Sequence, residues 1–515
     1  MERCDRQPRV VMFVMNDLLN DPRVQREARS AAKAGFRVRV VALQSDRCRG
    51  GRETVDGYEV LRVRVPRLRI TDTVFKLVWW VFSLRWVVSK LGLVLNEGVN
   101  LALALPPGPE APGQASGPAS RLRRFKWGLM LGIGLLLLPL RVVKPLLSWK
   151  GLLPKTGAQS ERPAHGFAEM LGRGVSEAGF IEETLWITRA MLKAVRSERA
   201  DVYHGNDLPT LPLTVWAARR TGGKALYDSH EVWVGMDPQA TPLFQAVSRW
   251  VEDRYIRRMH AVVTVNHLIA EDLRRRYTIP LPTVVMNCPE PISARPNAWD
   301  RSIRAKLGLS PETPLILYQG LYMPGRGLEA LIESGRYLLQ GAIVLRGYGT
   351  YEAALRQRVA DLGSPGRVFL VDPVPMADLI HAAAEADVGV VPYAPCTPGN
   401  YYASPNKLFE YMMAGLAVAV SNLPFLEKIV RDHDLGVVFD PADPRHVAEQ
   451  LNALVGNPAR LRACRKNAAR VARERYHWEH EGEKLIALYH TLAAENPDRH
   501  AGTERGTRKS TAASL

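Results

Sequence analysis

The sequence predicts an α/β protein made of two doubly wound domains with mainly parallel sheets. Three observations predict it. Short β-branched strands alternate with helical segments in two separate runs. A proline-rich stretch at 289–300 divides the runs. Glycines and polar clusters recur after the strands, the edge at which open α/β sheets bind ligands. The 515 residues suffice for two to four domains. With 46% apolar and 23% charged residues, the composition excludes a mostly disordered chain, a collagen-like rod and a polytopic membrane protein. Five cysteines, none in a C-x-x-C pair, argue against a disulfide framework or structural zinc and fit a reducing compartment.

The first run opens with an apolar strand at 9–15, too short for a signal-peptide core and ended by Asn16-Asp17. Val24, Ala28, Ala31 and Ala32 then recur at helical spacing until Gly35, and 37–42 is the next strand, so this is a βαβ start. The rhythm resumes near Glu177 with strands at 201–204, 225–227, 261–265 and 283–286. Helices are expected at 208–218, 243–259 and 269–276. The second run predicts strands at 315–319, 342–345, 368–371, 388–391, 417–421 and 436–439. Its helices fall near 327–338, 351–362, 376–384, 406–414 and 425–431. Two further helices over 444–472 and a last one at 477–494 precede a polar tail, 496–515, expected to be disordered.

The net charge of +17 calls for an anionic partner, and its location decides which. Residues 62–150 hold 14 Lys and Arg against three acids, about two thirds of the whole excess, together with five tryptophans. The apolar runs there, 74–95 and 127–140, are interrupted by charge or too short for a span of about 20 residues. Tryptophans and basic residues flank them as interfacial anchors do, so 73–150 is expected to dock on an anionic membrane surface. Because the aromatics lie among long apolar runs, lipid is preferred to nucleic acid.

The most informative stretch is Ser404-Pro-Asn-Lys-Leu-Phe-Glu-Tyr-Met-Met-Ala-Gly415. Ser404 is suited to cap a helix with Pro405 at its first position. Lys407 then sits in the first turn, at the positive end of the dipole, and Asn406 beside it; this is an anion site. Glu410 is three residues on and can accept from vicinal hydroxyls such as a ribose's. The alternative is a surface helix with a local Lys407–Glu410 pair. Gly320-Leu-Tyr-Met-Pro-Gly-Arg-Gly327 and Arg346-Gly-Tyr-Gly-Thr350 follow the first two strands of this run, placing Gly320, Gly347, Gly349 and Arg326 at the same edge. Each alone is only a turn signal. In the first run, Tyr203-His-Gly-Asn-Asp207 and Tyr227-Asp-Ser-His-Glu231 place His204, Asn206, Asp207, Asp228, His230 and Glu231 after consecutive strands, which suggests a cleft. Each cluster has one histidine and neither looks helical, so no metal site is expected.

Taken with Asn20-Asp-Pro-Arg-Val-Gln-Arg-Glu-Ala28, these motifs resemble the large fourth family of retaining, nucleotide-sugar-dependent glycosyltransferases (group 1) with the GT-B fold. The resemblance covers nearly the whole chain apart from the basic insertion and the tail. It implies two Rossmann-like domains facing across a cleft: an acceptor domain at 1–290, carrying the basic, apolar insertion at 73–150, and a nucleotide-sugar domain at 300–475. A helix at 476–495 would cross back to the first domain. By position, Glu410 is similar to the second carboxylate of the family's E-x7-E motif and would hold the ribose. Arg326 resembles the basic residue that neutralises the leaving diphosphate, with Lys407 nearby and Gly320 in the loop beneath. Gly347, Gly349, Ser404 and Asn406 would complete the donor side. His204 or Asn206 resembles the position that meets the transferred sugar, with Asp207, Asp228, His230 and Glu231 on the acceptor side. Tyr402 stands where the first glutamate of E-x7-E would be, and Leu321 where the family usually has arginine.

The activity so implied is transfer of a sugar from a nucleotide diphosphate sugar to a lipid-linked or saccharide acceptor of the cell envelope. The setting implied is the cytoplasmic face of a bacterial membrane, with peripheral or monotopic attachment and no cofactor or metal required. The competing readings are a non-catalytic nucleotide-sugar-binding protein and an epimerase or hydrolase of the same fold.

Overall fold

Short apolar, β-branched runs buried on both faces build two sheets in the computed structural model, which describes residues 7–48, 50–65, 163–234, 240–292, 303–363 and 366–495. The insertion at 73–150, its basic cluster and apolar runs, most of the 289–300 linker and the 496–515 tail lie outside the described residues.

The first sheet has eight strands: β1 (Arg9–Phe13), β2 (Arg37–Leu43), β3 (Gly51–Val55), β4 (Tyr58–Val63), β5 (Val202–Asn206), β6 (Lys224–Ser229), β7 (Ala261–Thr264) and β8 (Thr283–Val284). Their order is β3-β4-β2-β1-β5-β6-β7-β8, parallel except for the β3–β4 hairpin. Val10 and Met12 of β1 point into one core layer and Val11 and Phe13 into the other, so the strand reads as a continuous apolar run. The helix Pro22–Lys33 after β1 is capped by Asp21, whose carboxylate accepts from Val24 N at 3.2 Å.

The second sheet has six parallel strands: β9 (Leu315–Leu321), β10 (Ala342–Tyr348), β11 (Val368–Val371), β12 (Val388–Val391), β13 (Ala417–Ser421) and β14 (Gly436–Phe439). Their order is β11-β10-β9-β12-β13-β14. In both sheets the chain winds outward from one central strand and then returns to wind the other way. The switch points are β1/β5 and β9/β12, and crevices form at the carboxyl ends of such pairs.

The last helix, Trp478–Ala494, packs on the first sheet rather than the second. Trp478 Nε1 donates to Ser30 Oγ at 2.9 Å, and Met286 N donates to buried Glu481 at 2.8 Å. Tyr489 pairs with His204, 2.6 Å from its hydroxyl to Nδ1.

Most element ends lie within a few residues of the sequence expectation; three differences matter. The β3–β4 hairpin and the 32-residue helix Pro163–Ala194 were not anticipated. Strands β5 and β6 run two residues further than expected, which changes the site. Among the described residues, no helix is long and apolar enough to cross a membrane.

Candidate functional site

The carboxyl ends of β9 and β12 hold a pair of cations around one aromatic ring. Tyr393 lies two residues beyond β12 and is buried. The Arg326 guanidinium carbon sits 4.2 Å from its ring centroid. Lys407 Nζ donates to the Tyr393 hydroxyl at 2.9 Å and lies 4.8 Å from the same centroid, with Tyr318 of β9 at 5.1 Å. Burial alone would lower the lysine's pKa; Tyr318 and Tyr393 outweigh it and raise it above its ordinary value. Burial would raise Tyr393, but Lys407 and Arg326 pull it below the usual tyrosine value. Among the described residues, neither cation has a carboxylate at ion-pair distance.

The glycines make room for this arrangement. A Cβ on Gly320, whose φ is +141°, would come 3.4 Å from both Lys407 Cε and Nζ. A Cβ on Gly347 would meet Gly320 O at 1.9 Å, so β9 and β10 approach too closely there for any side chain. Gly349 packs its loop against Tyr322 O in the same way.

Lys407 and Glu410 lie on the helix Asn406–Met413. Glu410 is half-buried, and burial raises its carboxyl while Lys407 and Arg26 of the first domain counter it. Asn406 Oδ1 accepts from Asn287 Nδ2 at 2.8 Å, and Arg26 donates to Asn287 in turn. The start of this helix is therefore tied to the first domain.

On the facing edge, His230 bridges two acids. Its Nδ1 is 3.3 Å from Asp207 and its Nε2 is 3.3 Å from Asp228, with Asn206 Oδ1 at 3.2 Å. Burial would lower its pKa, but Asp207 and Asp228 outweigh that and hold it well above the ordinary histidine value. Asp207 follows β5 with φ 62° and ψ 161°, a region nearly reserved for glycine and costing about 1–3 kcal/mol. Its amide bond to Asp228 O at 3.0 Å and the Thr210 hydroxyl on its carbonyl at 2.8 Å hold it there. Glu231 is exposed at this mouth. Surrounding protein and Asp207 raise its carboxyl, while His230 and then Arg326 lower it.

Residues 300–471 match the model of glycosyl transferases group 1, and residues 153–289 that of a glycosyl transferase 4-like domain. The chain belongs to the group 1 glycosyltransferases of the GT-B fold. A D-inositol 3-phosphate glycosyltransferase of Xylanimonas cellulosilytica is 28% identical over 246 residues, 45% of this chain and 55% of that protein. An alpha-D-kanosaminyltransferase of Streptomyces kanamyceticus is 20% identical over 49% of this chain and 67% of its own length. The chain thus spans about half the length of the first curated relatives it matches. Sucrose-phosphate synthase of Thermosynechococcus elongatus shares the fold with a TM-score of 0.62 at 16% identity, covering 95% of this chain and 99% of that one. The Anabaena HepE protein in complex with UDP-glucose gives 0.55 at 13% identity over 94% and 99%.

Four sequence expectations need correction. His204, Asn206 and Asp228 do not follow strands; they are the inward-facing ends of β5 and β6 and are buried. Arg23 donates to both Asp228 oxygens, at 2.8 and 3.0 Å, across 205 residues of sequence. His204 is locked against Tyr489 and its pKa is pushed down to about 3 by burial, so it stays neutral and does not face the cleft. Asn206 donates to Phe13 O at 3.2 Å and serves to orient His230. Ser404 is not the cap: Pro405 takes that position without a side-chain bond, and Ser404 Oγ is buried without a hydrogen-bond partner.

Glu27, His204 and Asp228 bring ligand-type atoms within 4.8 Å of one another. The Arg23 guanidinium already lies 3.1 Å from Glu27 and 2.7 Å from Asp228, so the chain itself supplies the positive charge there. Burial and Asp228 raise Glu27 well above the ordinary carboxyl value, which keeps that buried cluster near neutrality.

Sequence reasoning missed Tyr393, Tyr318, Arg26 and Asn287 as site residues. For Tyr393 a signal was present: it follows the strand expected at 388–391, the same kind of edge that drew attention to Gly320. The others are recognisable only once the strand order is known.

Proposed function

We propose that the protein is a retaining glycosyltransferase that moves a sugar from a nucleotide diphosphate sugar to a membrane-associated acceptor. The observation that carries the reading is the Arg326–Tyr393–Lys407 cluster at the β9/β12 switch point, two cations free of carboxylate partners among the described residues. As the bond from the sugar to the diphosphate breaks, charge builds on the leaving oxygens. Fixed cations in a partly desolvated site stabilise that charge without reorganising, and in this reading no metal is required. Glu410 would accept from the ribose hydroxyls. Support for a UDP-sugar comes from neighbours of the same fold solved with UDP-glucose and UDP-2-fluoro glucose.

The acceptor would approach from Asp207, His230 and Glu231. Held as an imidazolium, His230 is suited to orient a hydroxyl or anionic group and not to act as a base. In a retaining transfer the acceptor attacks on the face the diphosphate leaves, so no enzymic nucleophile is required. The basic, tryptophan-containing insertion supports attachment to the cytoplasmic face of a membrane, peripheral or monotopic, with a lipid-linked or envelope saccharide as acceptor.

The test is protection against thermal unfolding by a panel of UDP-, GDP- and ADP-sugars, followed by release of the nucleoside diphosphate with a mixture of acceptors. Protection by one nucleotide class and acceptor-dependent release are expected. No protection by any of the three ends the donor reading. For the membrane part, flotation with anionic vesicles at low salt should recover the full-length protein and lose a variant lacking 73–150. Equal recovery of both would remove the insertion from the account.

A further inference from the structure

We propose that Tyr393 is a positioning residue for the donor's diphosphate, holding Arg326 and Lys407 as one preformed cationic pair. The proposal rests on the donor-site reading above and concerns how the site keeps its charge available.

Two cations set close together repel, and a site must restrain them before the ligand arrives. A carboxylate between them would do so, but it would also cancel charge that the diphosphate needs. An aromatic ring attracts a cation through its quadrupole and carries no net charge. Tyr393 does this twice, with Arg326 at 4.2 Å and Lys407 at 4.8 Å from its centroid, and its hydroxyl adds a third restraint at 2.9 Å from Lys407 Nζ. The ring itself is fixed, 5% exposed within the core below β12. Tyr318 supplies a second face to Lys407 at 5.1 Å, and its hydroxyl is engaged by donating to Leu321 O at 2.9 Å. Since Gly320 has no Cβ, no side chain stands between the lysine and the β9 loop. The cluster is therefore ordered and still positive before a ligand enters.

The charged and titratable groups facing Tyr393 are Lys407, Arg326, Tyr318 and Glu231. Ionisation of Tyr393 would turn the restraint into a neutralising partner. The lowered pKa of Tyr393 places that loss below the ordinary tyrosine value of 10.0.

The experiment measures binding of UDP and GDP, and of uridine and guanosine as controls without phosphate, to full-length wild type, Tyr393→Phe and Tyr393→Leu. Tyr393→Leu should weaken the bound diphosphate about tenfold or more, from loss of two cation–π contacts and a hydrogen bond, with the nucleoside control unchanged. Tyr393→Phe should fall between, since it keeps both ring contacts and loses only the hydroxyl. It should also lack the alkaline decline in diphosphate affinity expected of wild type, a readout that a purely structural role would not move. Wild type binding neither UDP nor GDP overturns the donor-site reading and this proposal with it. Wild type binding a diphosphate with both variants equal to it overturns the proposal alone. Parallel loss of nucleoside and diphosphate binding in Tyr393→Phe, with an unchanged pH profile, would also overturn it and make Tyr393 a packing residue. If Tyr393→Leu does not fold, the phenylalanine variant and its pH profile decide the matter.

Discussion

Asn266 and Tyr402 join the two domains: Asn266 Nδ2 donates to the Tyr402 carbonyl at 2.8 Å. The same side chain caps the helix His267–Tyr277, its Oδ1 accepting from Ile269 N at 2.9 Å. One buried amide thus ends a helix in the first domain and holds the segment leading to Lys407 in the second. The chain uses Tyr402, where the family resemblance would place a glutamate, as part of a domain contact. Asn266→Asp keeps the capping oxygen and loses the donor, whereas Asn266→Ala loses both. The alanine variant should lose about 1–2 kcal/mol of stability and the aspartate variant at least as much, because its buried carboxylate would face the Tyr402 carbonyl. Chemical denaturation should rank them so, and both should raise the KM for donor; equal stability of alanine variant and wild type would contradict the capping role.

Lys407→Ala and Arg326→Ala should each lower kcat/KM by about 2.7–4 kcal/mol in transition-state terms, the effect of losing one oxyanion donor. The double variant should fall short of the sum, because both cations share Tyr393. Steady-state kinetics on the donor identified by thermal protection tests this. Wild-type turnover in either single variant would remove that residue from the site.

The Arg23–Asp228 pair is fully buried, so removing Arg23 leaves the Asp228 carboxylate buried with His230 as its remaining cationic neighbour and less of its charge offset. Arg23→Met should cost about 3–5 kcal/mol of stability. Adding Asp228→Asn should restore part of that loss by removing the stranded carboxylate. A double variant no more stable than the single one would show that the pair's value lies in packing and not in charge.

His204 imposes a definite acid dependence. Burial holds its folded pKa at about 3 against an ordinary value of 6.5. The unfolded chain therefore binds a proton that the folded chain refuses. The contribution is complete above about pH 6.5 and is lost as pH falls towards 3. Within that window it declines by up to about 1.4 kcal/mol per pH unit. His204→Asn, which can keep the bond to Tyr489, should show an acid decline shallower by one proton. Parallel curves for the two proteins would mean that His204 is not buried in its neutral form.

The second domain was more legible than the first. Each of its six strands is a compact apolar run, and the helix carrying Lys407 announces itself through Pro405 and the spacing to Glu410. The first domain hides its logic in distant partners. In the sequence His204 looks like the last residue of its strand and Asp228 like a loop residue, because polar groups seldom continue a central strand. Arg23, some 205 positions earlier, and Tyr489, 285 positions later, supply distant partners that offset their burial. The β3–β4 hairpin was missed because β3 is exposed throughout, although Asp56-Gly57 is a turn signal that was there to be read. Tyr393 was overlooked because an aromatic after a strand reads as core, and its function depends on β9 and β12 being neighbours.

The last helix has a bearing on how the molecule comes into being. Trp478, Leu485, Tyr489 and Leu492 fill the same layer as Val10, Met12 and Val24. A ribosome delivers Val10 before the second domain and Tyr489 only after the whole second domain has been made. Until then part of one face of the first sheet, beside the helix Pro22–Lys33, lacks its cover and His204 lacks its Tyr489 partner at Nδ1. Unlike chains whose domains finish one after another during synthesis, this one can begin its first domain early but must complete it last. Any pause or breakage before residue 478 leaves an apolar layer open to other surfaces, so the first domain's maturation depends on the second having been made.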